Sequence, residues 1–121
     1  MQNITIWHNP RCSKSRQALA LLEGVGITPK VVKYLENPPT TTELEATLKQ
    51  LQCGPAQLVR RGEAVFKTLT LSEKNSDQEW IKAMVNNPII IERPIIICDD
   101  RAVIGRPPEN IYGLLEPLER S

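Results

Sequence analysis

The feature that most constrains this chain is a β-prone segment that leads through a short loop into an amphipathic helix. Residues Ile4–Trp7 have the alternation of a strand, and His8–Arg11 has the composition of a turn. Apolar residues then recur at helical spacing over about 13–23, and we expect them to form the buried face: Ala18, Leu21, Leu22 and Val25. Because Lys30–Tyr34 predicts a second strand, this part of the chain should form a right-handed β-α-β unit with parallel strands.

The middle of the chain has helical patterns with clear boundaries. Thr40 or Thr41, followed by Glu43, has the form of a helix start. The predicted helical segments are 41–54, 55–61 and 76–86, whereas 63–69 gives no clear pattern. We therefore expect a helical insertion at about 41–87.

The last third predicts two strands and a helix. The β-branched runs Pro94–Cys98 and Ala102–Ile104 are joined by a tight hairpin at Asp99-Asp100-Arg101. Pro107 opens a final helix that runs to about Leu115, since proline is tolerated in a first helical turn. The order β-α-β, helical insertion, β-β-α predicts one α/β domain over residues 1–121. Its fold is thioredoxin-like (glutaredoxin-like), with a mixed four-stranded sheet.

Cys12 lies where the first loop meets the first helix. The start of a helix presents unpaired N–H groups and a positive dipole end, both of which favour a thiolate. Ionisable nitrogen groups are close in sequence: His8, Arg11, Lys14 and Arg16. Ser15 follows within one turn, where its hydroxyl can donate to the sulfur. The alternative, an inert buried cysteine, is disfavoured by these polar neighbours. The pattern predicts a reactive thiolate.

The motif around this cysteine is CxxS, because Ser15 stands where a dithiol enzyme has its second cysteine. An adduct on Cys12 must then be resolved by an external thiol, for which glutathione is the obvious candidate. Cys53 and Cys98 are expected to be structural, with Cys98 packed at a strand end and Cys53 partly exposed. Residue 18 is alanine, so the Cys-x5-Arg phosphate loop of phosphatases is absent.

His8 is the only histidine, and it lies in a polar loop four residues before Cys12. Support of the thiolate and a structural role are equally open for it. One histidine and three scattered cysteines have no metal-ligand spacing, so we expect no metal and no bound cofactor.

The formal net charge of +1 gives no bulk field for nucleic acid, and no apolar run has the length of a membrane span. We therefore expect neither nucleic acid nor membrane as a partner. The N-terminus has no pattern of a signal peptide, and we expect a cytoplasmic location with free thiols.

Five motifs occur in order across nearly the whole chain. They are ITIWHNPRCSKSR at 4–16, YLENPPT at 34–40, LVRR at 58–61, ERPI at 92–95 and IGRPP at 104–108. In this order and spacing they resemble the ArsC family of glutaredoxin-dependent arsenate reductases, and within it the compact YfgD-like branch.

The resemblance implies that Cys12 attacks arsenate or a similar oxyanion, with glutathione as co-substrate and glutaredoxin as partner. It implies further roles as follows: oxyanion binding by Arg60, Arg93 and Arg106, and support of the thiolate by His8 and Ser15. It also implies a cis peptide before Pro94. Planar guanidinium groups suit a tetrahedral oxyanion because they donate two parallel hydrogen bonds. Arg61 adjoins Arg60, and sequence alone does not rank the two.

Two alternatives remain at this stage. One is a general glutathione-linked thiol oxidoreductase that acts on sulfur substrates. The other is a Spx-like regulator that binds RNA polymerase; those with a redox switch use CxxC, and Ser15 disrupts that motif here.

Overall fold

The computed structural model describes the backbone of residues 3–119 and the side chains of residues 3–115. Within that range the strands are β1 (Ile4–Trp7), β2 (Lys30–Val32), β3 (Ile95–Cys98) and β4 (Arg101–Ile104). They form one sheet in the order β2-β1-β3-β4. β1 pairs with β2 in parallel, and the other two pairs are antiparallel. This is the mixed sheet predicted from the sequence.

Five α-helices lie in the described range: α1 (Ser13–Gly24), α2 (Thr41–Leu51), α3 (Ala64–Leu69), α4 (Asp77–Asn86) and α5 (Asn110–Glu119). Short 3₁₀ turns occupy Pro55–Leu58 and Pro88–Ile90. Thr40 caps α2 as predicted, since its hydroxyl accepts from the Glu43 N–H while the Glu43 carboxylate accepts from the Thr40 N–H. Ser76 makes the same reciprocal pair with Glu79 at the start of α4. These caps define where both helices begin.

The chain forms two compact units. Among the described residues, the first comprises 3–37 and 93–119 and contains the whole sheet, α1 and α5; the second comprises 38–92. The core of the first unit is aliphatic and joins β1, β3, α1 and α5: Ile4, Ile6, Ala18, Leu22, Ile96, Cys98, Ile111, Leu114 and Leu115. This core holds α1 against the sheet and thereby sets the direction of the helix N-terminus.

The second unit is built around α4, whose buried residues are Trp80, Ile81 and Met84. Val85 on the same helix is only half-buried. The ring of Phe66 in α3 stacks on Trp80 with ring centroids 6.2 Å apart. α3 thus occupies the segment for which the sequence gave no clear pattern.

Several details of the predicted elements are wrong. β2 ends at Val32 because the Lys33 carbonyl accepts the N–H groups of Glu36 and Asn37, which turns the chain. Val25 follows the end of α1 with non-helical φ and ψ angles, and it is exposed.

The last helix begins at Asn110 and not at Pro107. Three successive N–H groups, from Asn110 to Tyr112, donate to the carbonyls three residues before them, so the chain turns more tightly before α5 starts. α5 also runs beyond Leu115, to Glu119.

Candidate active site

Cys12 is the N-cap residue of α1. Its backbone is extended, with φ −92° and ψ 122°, and its carbonyl accepts the first helical hydrogen bond, from the Arg16 N–H at 3.0 Å. The thiol therefore stands at the positive end of the helix dipole, where unpaired N–H groups gather. Only 9% of the residue is exposed, which leaves the sulfur at the edge of the protein surface.

The surroundings of Cys12 lower the pKa of its thiol. Burial acts in the opposite direction and raises the pKa, but it is outweighed by hydrogen bonding from the backbone N–H groups of Ser15 and Lys14 and from the Arg93 side chain. The positive charge of Arg93 adds to this effect. The balance favours the thiolate, the nucleophilic form of cysteine.

Arg93 and Arg106 both reach this site from the same unit. Arg106 Nη2 donates to Cys12 Sγ at 3.5 Å, and Arg93 acts on the same sulfur by hydrogen bonding and charge. Arg93 is buried whereas Arg106 is exposed. The structure thus brings Arg93 and Arg106 to the cysteine.

Both arginines precede a proline in a cis peptide, at Arg93-Pro94 and Arg106-Pro107. The first was predicted through the family resemblance, and the second was not.

The Ser15 hydroxyl lies between His8 and the loop backbone. Its oxygen is 2.6 Å from His8 Nδ1 and accepts the Asn9 N–H at 3.0 Å. The expected donation from this hydroxyl to Cys12 is thus replaced by stabilisation from the Ser15 backbone N–H. His8 is buried, and burial together with the charges of Lys33 and Arg16 lowers its pKa. A neutral imidazole is therefore favoured at neutral pH.

Asn9 is a positioning residue that the sequence analysis missed. Its carbonyl accepts the Cys12 N–H, and its side-chain Oδ1 accepts the Arg11 N–H, each at 3.0 Å. The residue is buried and so fixes the backbone that leads into the cysteine. The Asn-Pro pair of the loop was the signal, because asparagine side chains stabilise such turns.

Gly105 and Asn110 hold the segment that carries Arg106. A Cβ at Gly105 would lie 2.8 Å from Ile96 Cδ1 and 3.1 Å from Pro94 Cγ, so only glycine fits without rearrangement. Asn110 Nδ2 donates to the carbonyls of Ile104 at 3.1 Å and Arg106 at 3.3 Å. Neither residue was singled out by the sequence, because their importance depends on contacts made after folding.

Arg60 belongs to the second unit, where two carboxylates hold it. Its Nη1 donates to Glu92 Oε1 at 2.8 Å and its Nε to Glu63 Oε1 at 3.3 Å. The neighbouring Arg61 lies over the rings of Phe66 and Trp80, at 5.8 and 5.3 Å from their centroids. The structure thus distinguishes the two arginines: Arg60 is ion-paired and Arg61 is stacked on aromatic rings.

The other two cysteines have raised pKa values. Burial raises the pKa of Cys53. Burial and the charge of Asp99 raise the pKa of Cys98; Arg101 acts against them, and Asp100 adds the smallest increase. All three cysteines are free, Cys98 is packed and Cys53 is partly exposed, as predicted.

Among the side chains of residues 3–115, no group of three or more His, Cys, Asp or Glu is arranged to hold a metal ion. No helix within residues 3–119 is both long and apolar enough to cross a membrane.

A cysteine with a lowered pKa at the first helix of a thioredoxin-like sheet, beside two arginines, defines a thiol-based oxidoreductase. The family model described as the ArsC family matches residues 7–114. The chain therefore belongs to the ArsC family.

Similar proteins agree with this assignment. The chain is 45% identical over 116 residues to the uncharacterized protein YfgD of Escherichia coli K12, with 94% of this chain and 98% of that protein covered. It is 43% identical over 117 residues to an arsenate reductase of Neisseria meningitidis, with 95% and 100% covered. The solved structure of an arsenate reductase from Vibrio cholerae superposes with a TM-score of 0.90 at 43% identity, covering 93% of this chain and 97% of that one.

Proposed function

We propose that this protein reduces arsenate to arsenite, with the Cys12 thiolate as nucleophile and with glutathione and glutaredoxin as the source of electrons. The observation that carries the proposal is the contact of Arg106 with the Cys12 sulfur at 3.5 Å, together with the action of Arg93 on the same atom. Two guanidinium groups beside a nucleophile suit a substrate that is itself an oxyanion.

The first step is formation of a bond between Cys12 Sγ and arsenic. The thiolate attacks arsenate, one arsenic–oxygen bond breaks, and the departing oxygen leaves as water after it gains protons. Arsenic remains pentavalent in this adduct. Arg93 and Arg106 favour the step because they offset the negative charge that otherwise repels a thiolate from arsenate.

The second step transfers two electrons to arsenic. A glutathione thiolate attacks Cys12 Sγ, a sulfur–sulfur bond forms, and the electron pair of the sulfur–arsenic bond goes to arsenic, which leaves as arsenite. Cys12 is then a mixed disulfide with glutathione. Glutaredoxin removes the glutathione by thiol–disulfide exchange and restores the Cys12 thiol. No bound cofactor or metal enters this cycle.

Arg60 enters the proposal through the family resemblance as a third oxyanion ligand. Its ion pairs with Glu63 and Glu92 supply two negative charges against its single positive one. An arsenate ion would have to compete with these carboxylates for the guanidinium. We therefore expect Arg60→Ala to lower arsenate reduction less than Arg93→Ala or Arg106→Ala does. Arg61→Ala is the matched control and should leave arsenate reduction near the wild-type level.

The names of the relatives support arsenate as substrate, since several proteins 34–43% identical to this chain are named arsenate reductase. A general glutathione-linked thiol oxidoreductase is the second candidate. It is favoured by the CxxS motif, which leaves Cys12 dependent on an external thiol whatever the first substrate is.

The test is a coupled assay with arsenate, glutathione, glutaredoxin, glutathione reductase and NADPH, run on the wild-type protein, Cys12→Ser and Cys53→Ser. We expect arsenate-dependent NADPH oxidation with the wild type and Cys53→Ser and none with Cys12→Ser. Arsenate should also slow alkylation of Cys12 by iodoacetamide. If wild type and Cys12→Ser oxidise NADPH equally, arsenate reduction at Cys12 is excluded; turnover of glutathionylated substrates without arsenate protection would favour the second candidate.

A further inference from the structure

Arg106 reaches the Cys12 sulfur from an exposed position. Its Nη2 atom lies 3.5 Å from Cys12 Sγ, whereas Arg93, which acts on the same sulfur, is a buried residue. Close packing therefore holds Arg93 in place and contributes less at Arg106. An exposed arginine loses much rotamer freedom when it is held at one point, so the backbone that carries it must itself be fixed.

The backbone before Arg106 is fixed by the sheet. β4 ends at Ile104, and the Gly105 N–H then donates to the Pro94 carbonyl at 2.8 Å. Because Pro94 directly follows Arg93, this hydrogen bond joins the two chain segments that carry the arginines. The bond leaves the backbone on the other side of Arg106 to be held by the segment that follows it.

Asn110 holds that following segment through its side chain. Asn110 is the first residue of α5, and its Nδ2 donates to the Ile104 carbonyl at 3.1 Å and to the Arg106 carbonyl at 3.3 Å. Its backbone N–H donates to the Pro107 carbonyl at 3.0 Å. One side-chain amide thus connects the end of β4 and Arg106 to the start of α5.

The direction of these bonds separates Asn110 from an ordinary helix cap. An asparagine that caps a helix accepts an N–H of the first turn through its side-chain oxygen. The two partners of the Asn110 side chain are carbonyl oxygens that precede the helix, so the amide nitrogen faces them as a donor. The side chain therefore stabilises the segment that carries Arg106 and not the first turn of α5.

α5 gives these bonds a firm base, because its apolar side belongs to the core of the first unit. Ile111, the residue after Asn110, is fully buried, and Leu114 and Leu115 pack in the same core. Asn110 itself is exposed. A substitution at Asn110 therefore removes hydrogen bonds to the Arg106 segment without opening a cavity in the core.

We propose that Asn110 is a positioning residue for Arg106, which keeps the guanidinium beside the Cys12 sulfur and in place to bind an oxyanion. The contacts run from Asn110 Nδ2 to the Arg106 carbonyl, and from the Arg106 side chain to Cys12 Sγ. The inference rests on the proposed function only in taking arsenate as the oxyanion.

The first test is a double-mutant cycle read by titration of the Cys12 thiolate, and it needs no arsenate. Asn110→Ala should lower the ionisation constant of Cys12 about two- to fivefold, part of the effect of one hydrogen bond, because Arg106 then stabilises the thiolate less. In an Arg106→Met background the same substitution should have no effect, since the residue through which Asn110 acts is gone. Equal effects in both backgrounds, or none in either, would overturn the proposal.

The second test measures oxyanion binding, as the arsenate concentration that halves the rate of Cys12 alkylation by iodoacetamide. Asn110→Ala should raise this concentration about three- to tenfold. Asn87→Ala is the matched control, because Asn87 Nδ2 also donates to a backbone carbonyl, that of Ala83 at 3.1 Å, in the second unit. Asn87→Ala should lower stability in urea but leave the arsenate concentration unchanged. Equal shifts in the two variants would reduce Asn110 to a merely structural residue.

The third test is the split between the two KM values in the coupled assay. Asn110→Ala should raise the KM for arsenate about three- to tenfold and leave the KM for glutathione within about twofold. Equal rises in both KM values would contradict a role at the oxyanion. A wild-type protein that shows the double-mutant coupling and arsenate protection but does not reduce arsenate would instead refute the proposed function and leave the role of Asn110 standing.

Discussion

Cys12 and Cys98 are two buried thiols of the same compact unit, yet their pKa values are shifted in opposite directions. Cys12 follows β1 and its loop and opens a helix, whereas Cys98 ends β3 and opens a hairpin. Burial raises the pKa of both. At Cys12 the helix N–H groups and Arg93 reverse that effect, while at Cys98 the carboxylates of Asp99 and Asp100 add to it.

The comparison teaches that burial alone does not decide whether a cysteine is reactive. The decisive factor is which structure follows the strand. A helix start offers N–H donors and a positive dipole end, and a hairpin of two aspartates offers negative charge. Variants of these two sites and of the segments that support them test this contrast.

The largest effect should come from Cys12→Ser. Loss of the nucleophile should lower arsenate reduction by roughly 10³-fold or more, because no other thiol takes part in the first step. Cys53→Ser should keep near wild-type kcat/KM in the same coupled assay. If Cys53→Ser is as inactive as Cys12→Ser, the contrast between a reactive and a structural thiol fails.

Arg93→Met removes a charge-assisted hydrogen bond from the Cys12 thiolate. The pKa of Cys12 should rise, and kcat/KM for arsenate should fall by about 10- to 100-fold, since such bonds contribute about 1.5–3 kcal/mol. Arg101→Met, near Cys98, is the matched control and should leave kcat/KM unchanged. An unchanged alkylation rate of Cys12 at neutral pH in Arg93→Met would contradict the role of this guanidinium.

Gly105→Ala tests the packing behind Arg106. The new methyl group would meet Ile96 and Pro94 at 2.8 and 3.1 Å, so the free energy of unfolding should fall by about 1–3 kcal/mol in urea titrations. Gly113→Ala in α5 meets no atom within 4 Å and should be neutral or stabilising. Equal stability of the two variants would show that the close approach at Gly105 is not required.

The smallest effect should be on the pH dependence of the free energy of unfolding, which should differ between variants of Cys12 and of Cys98. The pKa of Cys12 is lower in the folded protein than in the unfolded chain, so its stabilisation is present above the unfolded value of about 8.5 and is lost as the pH falls through the folded value. The destabilisation by Cys12→Ser should therefore grow as the pH rises from the folded pKa of Cys12 toward the unfolded pKa of about 8.5.

Cys98 should show the opposite trend. Its pKa is raised by folding, so the wild type should lose stability relative to Cys98→Ala as the pH rises above about 8.5. Parallel pH profiles for Cys12→Ser and Cys98→Ala in reducing buffer would contradict opposite shifts.

Much of the fold could be predicted because its signals are local. The alternation at Ile4–Trp7, the helical spacing of Ala18 and Leu22 and the capping pair of Thr40 with Glu43 each act within a few residues. The end of β2 and the start of α5 were mispredicted because turn hydrogen bonds, to the Lys33 carbonyl at one place and to the carbonyls of residues 107–109 at the other, set the backbone there.

The candidate site was predictable only in part for the same reason. Cys12 stands out by its position before a helix, and the motifs pointed to Arg93 and Arg106. Ser15 stabilises Cys12 through its backbone N–H, because its hydroxyl lies against His8. This contact and the roles of Asn9 and Gly105 depend on segments brought together by folding. No spacing rule in the sequence specifies such contacts.

The most direct test of the central claim is a titration of the Cys12 thiolate. The ultraviolet absorbance of the thiolate, measured against pH for the wild type and corrected with Cys12→Ser, gives the pKa of this one group. We predict that the pKa of Cys12 lies clearly below that of an ordinary cysteine, which is about 8.5, and that Cys53 and Cys98 have pKa values above that of an ordinary cysteine. A Cys12 that titrates at or above the ordinary value would contradict an activated thiolate and, with it, the proposed chemistry.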